Sequence, residues 1–171
     1  RWIEAMRQSA KPWARAASSI FGSTSLSDVP GSKLNESVID GNCPECGTAN
    51  GTLRVAGVTV KLTGIEAPES DQRCGSGTNR WRCSAVAETV LSRLVNGRRV
   101  SCSLSGSDDA GRPLGQCSVG QKDVGAELVR QGYVFADGSI FARYASEERE
   151  ARAAKAGLWS GEAERPADYR K

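Results

Sequence analysis

The chain predicts an α+β domain with a mainly β core: a five-stranded OB-type β-barrel with about three packed helices, plus an N-terminal helical arm. Three observations lead there. Apolar residues alternate at Leu53 and Val55 and again at Val58, Val60 and Leu62, with a second pair of strand-like runs on either side of Ser107–Gly111. Helix-like segments follow at about 85–96, 124–131 and 142–156. A length of 171 residues suits one domain with extensions and is too short for two ordinary domains.

Taken in order, residues 1–35 are the arm and linker: Trp2, Ile3, Met6, Trp13, Ala16, Ala17, Ile20 and Phe21 are loosely helix-spaced, and Gly22–Asn35 is rich in Ser, Gly and Pro. Such an arm packs on the domain, or contacts a protein partner or a membrane surface. The domain proper covers 36–160, and 161–171 is a polar tail expected to run over the surface. A strand at Ser37–Asp40 precedes a cysteine-containing insertion, and the hairpin Thr52–Glu66 turns at Ala56-Gly57. Pro68 lacks an N–H and biases Ala67 towards extended geometry, so the second strand ends in a rigid corner, Glu66-Ala67-Pro68-Glu69. The strands Arg99–Leu104 and Pro113–Val119 come next, and the last helix ends with Gly157 as its C′ residue.

The net charge of +3 is compatible with a nucleic-acid partner without arguing for one. The complete lack of histidine removes Ser-His and Cys-His nucleophile systems and histidine-metal chemistry. Catalysis is left to carboxylates, Lys, Arg, Tyr, Cys or a bound metal. No apolar run approaches the roughly 20 residues of a membrane span. The six cysteines fall into pairs. Cys102 and Cys117 are symmetric about the Asp109/Ala110 turn and hence cross-strand, close enough to bridge. Cys74 and Cys83 bracket a polar loop, and Cys43 and Cys46 form a disulfide in the favoured reading, with free thiols or, for want of a second knuckle least of all, half of a zinc ribbon as the alternatives. Disulfides point to a periplasmic or secreted protein, with membrane anchoring through a segment ahead of Arg1 as a further option.

The segment TLRVAGVTVKLTGIEAPE from Thr52 to Glu69, then Asp108-Asp109-Ala110-Gly111-Arg112, Gly125 to Gly132 and Gly157-Leu158-Trp159, in that order and spacing, resembles the staphylococcal nuclease (thermonuclease) family. The resemblance implies the OB fold and Ca2+-dependent hydrolysis of DNA or RNA with low sequence specificity. It maps the metal-binding acid to Glu66, a supporting backbone carbonyl to Ala67, the residue that orients or deprotonates water to Glu69, and the phosphate-binding cations to Lys61 and Arg112. Asp40 is the candidate for a further metal ligand. Tyr133 and Tyr144 are candidates for stacking on a nucleobase.

Three positions depart from the family pattern. Lys61 stands where Arg is usual, giving a point charge without the bidentate fork. Glu66 replaces Asp. The D-G-D-T motif is interrupted, so that Gly51 precedes Thr52 where a second metal-binding Asp is expected. A catalytically degenerate barrel that binds nucleic acid or protein is therefore the alternative reading. Intact mass before and after reduction is expected to rise by one hydrogen per cysteine; an unchanged mass removes the three-disulfide assignment.

Overall fold

The computed structural model describes residues 36–140 and 142–171, so the expected N-terminal arm lies outside the described residues. The strands are β1 (Glu36–Cys43), β2 (Gly47–Thr48), β3 (Thr52–Val55), β4 (Val58–Leu62), β5 (Ile65–Glu66), β6 (Arg73–Cys74), β7 (Trp81–Arg82), β8 (Arg98–Ser107), β9 (Pro113–Val119), β10 (Lys122–Asp123) and β11 (Phe135–Ala136). The helices are α1 (Cys83–Val95), α2 (Val124–Arg130), α3 (Ala145–Ala153) and α4 (Pro166–Tyr169), with a 3-10 turn at Gly157–Ser160. The main sheet runs β1-β8-β9-β4-β3-β2, with β10 on β9. Mixed with the helices, it is an α+β, OB-like arrangement with more and shorter strands than the five expected.

Local chemistry explains the central elements. Ala56 (φ 49°) and Gly57 (φ 82°) both take positive φ, the requirement of the two-residue turn whose twist matches its strands. The turn sets the register Leu53↔Val60, and Leu53, Val55, Val60 and Leu62 point into the core. In the next hairpin Cys102 lies directly opposite Cys117, and the two are bonded, as are Cys74 with Cys83 and Cys43 with Cys46. The pairing β4–β9 is parallel, with Lys61 opposite Leu114. Hairpin connections cannot make such a pair. It requires the crossover through α1 and β8.

The main core joins the sheet to Leu91 and Val95 of α1 and Leu128 and Val129 of α2. A smaller cluster of Cys74, Cys83, Phe135 and Leu158 is covered by Trp81, Trp159 and Ala163. Phe135 and Trp159 meet edge to face at 5.4 Å, and the Arg152 guanidinium lies 4.0 Å above the Trp159 ring.

The last helix is shorter than the expected 142–156, and its C′ residue is Lys155, at φ 50°, rather than Gly157. Lys155 N–H donates to Arg152 O at 3.1 Å and Ala156 N–H to Ala151 O at 2.9 Å, a Schellman ending. Gly157 has a different duty. Its backbone crosses that of Gly132, where a Cβ on either residue would collide with the other strand of chain, and Leu158 N–H donates to Gly132 O at 2.8 Å.

The tail runs over the surface but is tied down. Pro166 is buried, Gly75 N–H donates to Glu162 O at 2.9 Å, and the buried Gln72 donates to Glu164 O at 2.7 Å. Arg165 reaches Glu148, a buried carboxylate that also accepts from Arg152 and from Ala136 N–H. Glu148→Ala is expected to lower stability by about 3 kcal/mol in urea unfolding, because it removes the carboxylate shared by two guanidiniums and leaves the buried Ala136 N–H without its acceptor. Lys155→Gly, which relieves a left-handed lysine, is expected to raise stability by about 0.5–1 kcal/mol in the same measurement.

Candidate functional site

The sheet register brings together residues far apart in sequence. Thr52 lies opposite Lys61, and Leu62 N–H donates to Gly51 O at 2.9 Å, which extends the β3–β4 ladder to Gly51. The parallel β4–β9 pair then sets Lys61 near the start of β9, just after Arg112. Beyond β4, Ile65 and Glu66 pair with Ala136 and Phe135, which holds the carboxylate corner against the body of the domain. The result is a cleft of about 410 Å³ lined by Lys61, Glu66, Ala67, Glu69, Arg112 and Arg170, with Asn50 and Gly51 at its edge.

The Glu69 backbone and the Arg112 side chain are each held by a specific partner. Glu69 N–H donates to Gln72 Oε1 at 3.0 Å and Gln72 N–H to Glu69 O at 2.9 Å, a reciprocal turn lock made by a side chain only 1% exposed. Arg112 is held by Asp108, which accepts from Arg112 Nε at 2.8 Å, from its backbone N–H at 2.9 Å and from Ala110 N–H at 3.1 Å. The Arg112 guanidinium and these N–H groups hold the Asp108 carboxyl below its ordinary range. This turn therefore sets both the path of the chain and the direction of Arg112. Lys61 has no ion-pair partner among the described residues.

Glu66 and Glu69 are each approached by a guanidinium from the C-terminal segment. Arg165 Nη1 stands 3.4 Å from Glu66 Oε2, and Arg170 is paired with Glu69. Neither arginine carries a signal in the sequence, where both read as part of a polar tail. Their roles depend on the path of that segment.

The other expected site residues lie elsewhere. Asp40 does not line the cleft; Arg99 donates to both its oxygens, at 3.1 and 2.9 Å, and holds its carboxyl below the ordinary range. In the β1–β8 register Asn42 is opposite Arg99, so Asp40 is its diagonal neighbour on the sheet. Tyr144 is 4% exposed and donates its hydroxyl to Asp123 at 3.0 Å, with burial as the main cause raising its pKa and the Asp123 charge adding to it; no base can stack on it. Tyr133 packs half-buried against the main core and also stands outside the cleft lining.

The donors in the cleft do not compose a calcium shell. Calcium takes six to eight oxygens. The two carboxylates lining the cleft, Glu66 and Glu69, are each paired with an arginine, and among the described residues no three acidic, His or Cys side chains cluster as a metal site. Gly51 sits at the cleft edge without a side chain, its Cα facing Ile65 and Ala67 at a distance where a Cβ would be 3.2–3.3 Å from them. A carboxylate there would need room that these apolar groups occupy.

Comparison with known proteins agrees with the architecture. The family model described as "Staphylococcal nuclease homologue" matches residues 59–161, more than half of the chain. The succinoglycan biosynthesis protein ExoI of Rhizobium meliloti is 31% identical over 132 residues, covering 75% of this chain and 64% of that protein. A probable staphylococcal-like nuclease, CAN2, of Oryza sativa is 30% identical over 115 residues, 66% of this chain and 29% of its own length. A probable endonuclease, LCL3, of Verticillium alfalfae is 31% identical over 128 residues, 66% of this chain and 44% of its own. The chain thus spans less than two thirds of each of these relatives.

Proposed function

Because the chain belongs to the staphylococcal nuclease homologue family, we propose that it hydrolyses phosphodiester bonds of DNA or RNA with little sequence preference, using Glu69, Arg112 and Lys61. The observation that carries this reading is the gathering of all three, from separate elements, in one cleft beside Glu66. Chemically, Glu69 takes a proton from water as the water oxygen bonds to phosphorus. Arg112 and Lys61 neutralise the negative charge that grows on the non-bridging oxygens, the bond to the leaving oxygen breaks, and that oxygen takes a proton from solvent. Asp108 acts as a positioning residue, because it fixes the Arg112 fork before substrate arrives.

By the family resemblance Glu66 and the Ala67 carbonyl would hold a calcium ion, and with Glu66 and Glu69 each paired with an arginine the cleft offers fewer free oxygens than calcium takes. Charge stabilisation is therefore assigned to the side-chain cations. Three disulfides support an oxidising compartment, the periplasm or the cell exterior, as the place of action.

A second reading keeps the binding surface and drops the reaction. Gly51 in the cleft, Lys61 in place of arginine and the Arg170–Glu69 pair favour a non-catalytic barrel that holds nucleic acid or a protein. Purified chain incubated with single-stranded DNA and RNA, in Ca2+ and in chelator, separates the two. Hydrolysis is expected to fall by about 100-fold or more in Glu69→Gln and in Arg112→Ala, and to change less than about tenfold on chelation. Loss of all activity in chelator returns Glu66 and Ala67 to a ligand role; equal trace activity in wild type and both variants leaves the binding module.

A further inference from the structure

We propose that Arg170 is a third phosphate-binding residue of the cleft, resting on Glu69 in the free protein and moving to the phosphate when a nucleic-acid strand binds. The proposal rests on the cleft being the nucleic-acid site. It adds a residue from the C-terminal segment, outside the residues 59–161 that the family model matches.

Arg165 and Arg170 come from the same short helix region and behave oppositely. Arg165 is 30% exposed and has several partners: Ala136 O at 2.9 Å, Glu148 at 2.8 Å, Glu66 at 3.4 Å and the Phe135 ring at 5.2 Å. It is an anchor. Arg170 is 61% exposed, and its guanidinium has Glu69 as its partner among the described residues. An exposed single ion pair contributes little and is readily exchanged. A phosphate offers the same guanidinium a bidentate partner of equal or greater strength.

The backbone carrying Arg170 is nonetheless well placed. Pro166, which lines the cleft, is buried, Arg165 and Glu164 tie the segment to Glu148 and Gln72, and Arg170 N–H donates to Pro166 O at 3.2 Å. A fixed backbone with an exchangeable head group is what a ligand-capturing arginine needs. The charge balance favours the same assignment. Arg112 is shared with Asp108 through several bonds, Lys61 has no ion pair among the described residues, and Arg170 has the single exposed pair to exchange. Arg170 supplies the bidentate fork that Lys61 lacks. Its departure from Glu69 also frees that carboxylate to accept the water proton at the moment substrate is present.

The test is binding of a hydrolysis-resistant phosphorothioate single strand by the full chain, titrated over a range of KCl. Wild type, Arg170→Ala, Arg170→Lys and the distant control Lys122→Ala are compared, with thermal melting to confirm folding. Arg170→Ala is expected to weaken binding severalfold at low salt and to reduce the slope of log K against log salt by about 0.7, one phosphate contact on a single strand. Arg170→Lys is expected to restore the slope with only part of the affinity, and Lys122→Ala to leave both unchanged. Unchanged or tighter binding by Arg170→Ala overturns the proposal, tighter binding marking Arg170 as a latch over Glu69; so does failure of wild type to bind the strand. A reduced slope in a protein that hydrolyses nothing supports the Arg170 assignment while the catalytic reading falls. Retained hydrolysis with an unchanged slope does the reverse.

Discussion

The structure around the cleft depends on one buried carboxylate. Glu148 is 6% exposed and accepts from Ala136 N–H at 2.7 Å, from Arg152 and from Arg165. A charge taken out of water must be met by donors, and these donors come from three separate parts of the chain. Ala136 belongs to the β11 strand that pairs with Ile65, next to the acidic corner, and Arg152 belongs to the same helix as Glu148. Arg165 belongs to the C-terminal segment. Satisfying Glu148 therefore brings the last residues of the chain to the corner that carries Glu66 and Glu69.

Gln72 makes the second connection. Its buried amide bonds Glu69 N–H on one side and Glu164 O on the other, so the corner and the tail share one support. The Cys74–Cys83 bridge, packed with Phe135 and Leu158, closes the loop that follows. Between these clamps the acidic residues cannot drift. A cleft lined by glutamates, lysine and arginines is then stable because each acid has a guanidinium near it and Arg112 has its own carboxylate.

Features governed by neighbours in sequence were legible without coordinates. The Ala56-Gly57 turn, the alternation across β3 and β4, and the Cys102–Cys117 pair follow from period-2 patterning and hairpin symmetry. Glu66, Glu69, Lys61 and Arg112, singled out on motif order, line one cleft because the fold brings their elements together. Asp40 failed this logic. It lies beside a Gly as a family motif would have it, but the Cys43–Cys46 insertion separates it from β3, and the β1–β8 register hands it to Arg99. Tyr144, a candidate for either stacking or packing, is a packing residue: an aromatic at a helix start gives no sign of whether its face is buried, and here Asp123 captures its hydroxyl. The C′ assignment moved from Gly157 to Lys155 because glycine preference competes with a tighter demand, the backbone crossing at Gly132.

By itself, the sequence determined the two hairpins, the rough place of the helices, the Cys102–Cys117 pair and the position of the acidic corner, because each rests on spacing within a short stretch or between two strands joined by one turn. Only the tertiary structure decided which charges meet. The parallel β4–β9 register set Lys61 beside Arg112, and the path of residues 161–171 set Arg165 on Glu66 and Arg170 on Glu69. Those encounters join residues up to 101 positions apart. No local pattern encodes them, since they follow from where buried groups such as Glu148 and Gln72 must find their partners.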